Sequence, residues 1–217
     1  MNKTLIACLA AVCVAQVAAR GQGTLYFSSI SQQPSANITV GSDAWIGQGF
    51  LAGTNTAGAY ALNSIQLGMN AATGNPTDFT LSLYRPSASA FYLPGDKIAD
   101  LTGPQPTGQG VFSYTASGIT LSGDSVYFLV LTSQTPISGG HFSVATADQP
   151  SSWVSIAGWQ PMYQPGSLDG STWTRETHQP IQFALNATLV PEPSFLTLLS
   201  CGGLLLAGNR FIRKRKT

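Results

Sequence analysis

V-Y-F-L-V-L, residues 126–131, has no charged or strongly polar position on either side of a two-residue repeat. A strand with one face in water alternates apolar and polar side chains. A short run without alternation, rich in β-branched and aromatic residues, reads as a strand covered on both faces. The stretch therefore predicts a central strand of a β structure, entered through the turn residues Ser122-Gly123-Asp124. Outward from it the period-two pattern is clear. Ile65, Leu67 and Met69, then Phe79, Leu81 and Leu83, and finally Ile181, Phe183, Leu185, Ala187 and Leu189 each occupy every second position, and each set reads as a half-buried strand. Further strands are expected near 25–30, 45–50, 97–101, 111–115, 118–121 and 141–145. Turns are expected at Asn75-Pro76 and Pro94-Gly95, and the G-Q-G triplets at 21–23, 47–49 and 108–110 read as turn chemistry rather than repeats. About nine or ten short strands without a helical stripe predict an all-β fold, an antiparallel β-sandwich in the jelly-roll or Greek-key style.

Composition supports a folded domain. Charged residues are only 9 % of the chain, but 43 % apolar and 10 % aromatic residues supply a core. The formal net charge of +1 hides an asymmetry, because Arg210, Arg213, Lys214, Arg215 and Lys216 crowd the C-terminus. Between positions 20 and 190 the cations are Arg20, Arg85, Lys97 and Arg175, against twice as many carboxylates. Such a mildly acidic domain lacks the electrostatic footprint for a phosphate backbone, so nucleic acid is excluded as an expected partner. Cys8, Cys13 and Cys201 all lie outside the stretch 20–189, which therefore has neither a disulfide framework nor a cysteine-based metal site.

The two ends read as addresses. Lys3, an apolar run from 5 to 14 and the small residues Val17, Ala18 and Ala19 form the three parts of a secretory signal peptide over residues 1–19. A short N-terminal membrane anchor is the alternative, but the run is too short to cross about 30 Å of hydrocarbon comfortably. The segment 190–217 holds Pro191-Glu192-Pro193, an apolar run and the basic cluster. At about 1.5 Å per residue the run 195–208 covers only ~21 Å, whereas 193–212 reaches about 30 Å with Arg210 snorkelling. A single transmembrane helix over 194–212 is expected, with the cations acting as a cytoplasmic membrane stop. The rival amphipathic surface helix is disfavoured because the run is apolar all round. The proline pair predicts a stiff extended peptide between the domain, 20–189, and the membrane.

The order V-P-E-P-S, apolar run, R-x-x-R-K-R-K resembles the PEP-CTERM sorting signal of Gram-negative bacteria. The resemblance implies recognition of Pro191, Glu192 and Pro193 by an exosortase-type membrane protease, with cleavage nearby, during export linked to extracellular polysaccharide. It also implies a protein first held at the membrane and then delivered to the cell surface or extracellular matrix. A glycolipid-anchor signal is the rival, but its tail normally lacks a terminal basic cluster. F-T-L-S-L-Y at 79–84, L-P-G-D-K-I-A-D-L-T at 93–102 and G-I-T-L-S-G-D-S-V-Y-F-L-V-L at 118–131 are similar to the choice-of-anchor R ectodomains. That similarity implies an extracellular β-sandwich and brings no catalytic residues.

Chemistry-bearing signals are sparse. Gly166-Ser167-Leu168-Asp169-Gly170 is only superficially like a nucleophile elbow and lies between turn signals. His141 and His178 have no metal-ligand spacing, and no acidic loop has a calcium pattern, so no metal or cofactor is expected. Asp148, Asp169, Glu176 and His178 are the residues from which a hydrolase would have to be built, a minor alternative to solvated turn caps. Residues 153–173 concentrate Trp153, Trp159, Tyr163 and Trp173. Indole faces stack on pyranose rings, which gives a carbohydrate-binding alternative, and the other reading is a tryptophan lid over the core. The expected function is a non-catalytic structural or adhesive surface module.

Overall fold

The structure is a computed structural model that describes residues 23–30, 34, 36–54, 58–147, 152–176 and 179–191. The expected signal peptide 1–19, Glu192, Pro193, the helix 194–212 and its basic cluster lie outside the described residues, as do Asp148 and His178. Among the described residues no helix is long and apolar enough to cross a membrane.

The chain forms two antiparallel sheets. The first is built from β1 (Thr24–Ser28), β2 (Asn37–Val40), β4 (Gly58–Gly74), β7 (Gly110–Thr115), β8 (Thr120–Ser122), β10 (Gly140–Ala145), β11 (Val154–Ser155) and β15 (Phe183–Pro191). The second is built from β3 (Trp45–Leu51), β5 (Thr80–Pro86), β6 (Pro94–Asp100), β9 (Val126–Thr132), β12 (Gln160–Pro161), β13 (Gln164–Ser167) and β14 (Trp173–Glu176). The 8-stranded sheet runs β11-β1-β15-β4-β10-β2, with β7 and β8 also on β4, and the 7-stranded sheet runs β14-β13-β3-β9-β5-β6, with β12 also on β3. One apolar cluster joins them. Phe183 of β15 packs on Phe27 of β1 at 4.7 Å and reaches Phe50 of β3 across the core at 6.5 Å. Phe79, just before β5, meets Phe142 of β10 at 5.2 Å and Tyr114 of β7 at 5.9 Å.

β9 is the V-Y-F-L-V-L strand and lies between β3 and β5. Its side chains are buried on both faces. Tyr127, Leu129 and Leu131 belong to the core cluster, while Phe128 and Val130 alternate with them and are buried as well. The longest strand is β4, which pairs with β15 over 58–67 and with β10 over 69–74, and with β8 and β7 as well. It bends at a bulge. Ser64 pairs with Asn186 but Leu62 pairs with Ala187, so Asn63 is the extra residue. The bulge shifts the alternation by one. Tyr60 and Leu62 before it and Ile65, Leu67 and Met69 after it all enter the core.

Three local expectations are corrected. Pro94-Gly95 opens β6 instead of forming a turn, and proline fits there because the first residue of an edge strand has no donor to supply. Gly47-Gln48-Gly49 lies inside β3. A Cβ on Gly47 would stand 2.8 Å from Pro165 Cγ, so the triplet serves close packing of the next segment and no turn. Between the glycines, fully buried Gln48 donates to Gly49 O at 2.8 Å and accepts from Ile181 N–H at 3.0 Å, a polar tie from the second sheet to the lead-in of β15. Finally, Pro191 does not stand in a free linker. It closes β15, paired with Gly58.

Because Phe183 is fully buried where both sheets contribute rings, Phe183→Ala is expected to cost about 3–5 kcal/mol. Val111→Ala, at an exposed position, is expected to stay within about 0.5 kcal/mol of the parent. Urea unfolding of the two variants checks this.

Candidate functional site

The three tryptophans do not form a platform. Trp159 is 1 % exposed. It sits among Tyr60 at 5.0 Å, Tyr26 at 5.3 Å and Phe50 at 6.0 Å. Trp153 packs edge-on against Phe27 at 5.8 Å and is partly buried against the core. Trp173 begins β14 in the other sheet, and its indole N–H donates to Gly170 O at 3.1 Å. The largest apolar side chain of the region has gone where burial stabilises most, and Trp159 is withdrawn as a stacking surface. The lid reading of the segment describes Trp153 and Trp159.

The acidic candidates are used locally. Asp169 stands in the β13–β14 loop, where its Oδ1 accepts from Ser171 N–H at 2.8 Å and Thr172 N–H at 2.9 Å. Its Oδ2 accepts from the Ser171 hydroxyl at 2.8 Å. The N–H groups of Thr172 and Ser171, and then the Ser171 hydroxyl, hold the Asp169 carboxyl well below the usual carboxylate range. A group so firmly ionised is a loop clasp and a poor proton donor. Ser167, the serine of the superficially elbow-like stretch, is mostly buried, and its Oγ accepts from Gly170 N–H at 2.9 Å while donating to Asp169 Oδ1 at 3.2 Å. Glu176, on β14, folds its carboxylate over Gly166, where any Cβ would collide with it. A cleft of ≈ 460 Å³ runs beside this loop, bordered by Trp45, Ile46, Ser167, Asp169, Thr174 and Glu176. Neither histidine nor cysteine lines it. Among the described residues no group of three or more His, Cys, Asp or Glu side chains is placed to hold a metal ion.

A different aromatic group is exposed. The β5–β6 hairpin ends in a loop, 87–93, that folds on itself. Ser87 N–H donates to Leu93 O at 2.8 Å, and Leu93 N–H to Ala90 O at 2.9 Å. The loop presents Phe91 and Tyr92, 58 % and 37 % exposed. Both rings meet Tyr163, at 5.8 and 6.0 Å, and each other at 5.6 Å, with interplanar angles of 72°, 68° and 81°. The guanidinium of Arg175, on β14, lies 4.7 Å from the Tyr163 ring centroid. Phe91 also borders a cleft of ≈ 560 Å³ with Arg85, Thr120, Ser122, Ser125 and Tyr127. Tyr163 belongs to the aromatic-rich segment 153–173, but Phe91, Tyr92, Arg85 and Arg175 are not expected from the sequence as a site. The available signal is the adjacency of Phe91 and Tyr92 in a stretch of serines, alanines and prolines, where a loop offers two aromatic rings no strand face to bury them.

No family model, no curated protein and no solved structure matches the chain.

The clasp has a definite pH signature. Since Asp169 titrates lower in the folded protein than its ordinary value of 3.8, its contribution is present above that value and is lost as pH falls below it. Asp169→Asn keeps an acceptor oxygen but removes the charge. Its thermal midpoint is expected to fall less than the parent's on acidification from about pH 5 to about pH 2.5. Parallel melting curves across that range decide it, and identical acid sensitivity would rule the clasp out as a contributor.

Proposed function

We propose that the chain is an exported, non-catalytic surface module, structural or adhesive in role, delivered by a C-terminal sorting signal and linked to an extracellular polysaccharide coat. In this reading the two-sheet domain is a β-sandwich of jelly-roll or Greek-key style. A single helix over 194–212 tethers it, with Arg210, Arg213, Lys214, Arg215 and Lys216 as the membrane stop. An exosortase-type membrane protease then reads Pro191, Glu192 and Pro193.

The observation that carries the reading is the order of parts in 190–217: a Pro-Glu-Pro motif, an apolar run and a terminal basic cluster in a chain that is otherwise poor in cations. The end of the fold is compatible with it. The residues of β15 described as buried, Phe183, Ala184, Leu185 and Ala187, all precede the motif, so cleavage close behind it leaves them in place. The non-catalytic part is supported by the local hydrogen bonds that occupy Asp169 and Ser167.

Intact mass and C-terminal peptide mapping of protein recovered from producing cells and their medium test the proposal. The expected product ends within 191–194 and leaves the membrane fraction, while Glu192→Ala retains Thr217 and stays there. A parent protein that ends at Thr217 and remains in the membrane is a permanent single-span protein, and the sorting reading falls with it.

A further inference from the structure

The described residues contain only three cations, Arg85, Lys97 and Arg175. Lys97 is engaged with Asp100 at 3.1 Å. Neither arginine makes an ion pair among the described residues, yet each stands by a member of the same aromatic group. Arg85 shares a cleft with Phe91, and Arg175 covers Tyr163, which touches Phe91 and Tyr92. Among the described residues Phe91 and Tyr92 are the only aromatic ones in the set of exposed large apolar side chains. No acidic residue lines the Arg85 cleft. A mildly acidic domain has thus put both unpaired guanidinium groups beside its exposed aromatic group.

We infer that Phe91, Tyr92, Tyr163, Arg85 and Arg175 form a binding site for an acidic polysaccharide, a chain of pyranose rings carrying carboxylates. The apolar face of a sugar ring stacks on the exposed rings, and the guanidinium groups take the carboxylates, for which their planar fork is matched. The charge supply selects the ligand. Two arginines suit a polymer whose anions are spaced by whole sugar units. They do not suit duplex nucleic acid, with a phosphate about every 1.7 Å of axis, particularly on a domain of net negative charge. A protein partner requires roughly 800 Å² of contact on each side, far beyond three rings and two arginines. Ring geometry narrows the form of the glycan. Because the rings stand at 68°, 72° and 81° to one another, no two share a plane, so the patch fits a single flexible chain and not the flat face of a crystalline polymer. The self-bonded loop 87–93 holds Phe91 and Tyr92 in place before binding, which limits the ordering cost.

This inference rests on the adhesive-module reading and supplies its ligand class, but it is independent of tail processing. The test uses the full chain in detergent micelles, titrated by calorimetry with polygalacturonate, with dextran as a neutral glycan and with polyglutamate as a polyanion without sugar rings. Polygalacturonate is expected to bind at least about tenfold tighter than either control, with affinity falling as salt rises. Phe91→Ala with Tyr92→Ala is expected to lower that affinity about tenfold or more, and Arg175→Gln or Arg85→Gln about threefold or more each. All these side chains are exposed or partly so, and unchanged melting curves exclude misfolding. Equal binding of dextran and polygalacturonate overturns the acidic assignment while leaving an adhesive glycan-binding module. Equal binding of polyglutamate overturns the sugar assignment. Absence of binding to any polymer, or variants that bind like the parent, overturns the site itself, and the mass of the processed product still reads the sorting proposal separately.

Discussion

The 8-stranded sheet keeps its last strand in its middle. β15 lies between β1 and β4, so the two ends of the described chain are hydrogen-bonded to one another, Thr24 opposite Ala187 and Ser28 opposite Ala184. Among the described residues, β1 without β15 would retain only the two-residue β11 as a strand partner, and Ile181, Phe183, Leu185 and Ala187 would leave the core. No cysteine occurs among the described residues to close the fold covalently. Strand pairing and apolar burial across the whole sequence do that work, helped by the buried Gln48–Ile181 hydrogen bond between the second sheet and the entry to β15. Contacts of such long sequence separation incur their loop-closure entropy before they return any stability, so closure by β15 belongs late in folding.

How much of this is legible beforehand follows from which residues obey a simple period. Of the alternating set 181–189, Ile181, Phe183, Leu185 and Ala187 are buried as the period requires, whereas Leu189 is exposed. V-Y-F-L-V-L declares burial on both faces, and β9 has it: Tyr127, Leu129 and Leu131 enter the core, while Phe128 and Val130 between them are buried as well. β4 is legible only in part, from Ile65 onward. The bulge at Asn63 changes the phase, so Tyr60 and Leu62 fall outside a period that begins at 65 although they enter the same core. Gly47 and Gly49 mislead for a related reason. Glycine marks either a turn or a close approach of chains, and only the position of Pro165 across from Gly47 distinguishes the two.

The site was harder to read than the fold, because side-chain type sets what a residue can do and burial decides whether it is free to do it. Tryptophan has both the flat face that stacks on a sugar and the large apolar area that stabilises a core. In Trp159 the second use has won, with Tyr26, Phe50 and Tyr60 around it. Asp169 likewise has a carboxylate suited to catalysis, but its oxygens are taken by the N–H groups of its own loop. The exposed rings lie in a hairpin loop with no unusual composition, and their companions Tyr163 and Arg175 come from far along the chain. Such a grouping is created by topology, and no local window of sequence contains it.

The same topology bears on how the tail meets the domain. Proline has no N–H, so a strand reaching Pro191 loses a ladder donor there, and the residue that closes β15 is also the first of the Pro-Glu-Pro motif. Among the described residues β1 accompanies β15 only as far as Ala187, and Leu189, Val190 and Pro191 pair with β4, opposite Tyr60, Ala59 and Gly58. Leu189 and Val190 are exposed, so little apolar burial restrains them. Strand ends held on one side with few buried contacts open at the lowest free energy. On the proposed reading, a membrane protease that needs an extended peptide gains it by fraying these last pairs. The buried positions up to Ala187, covered by β1 on one side and β4 on the other, stay closed.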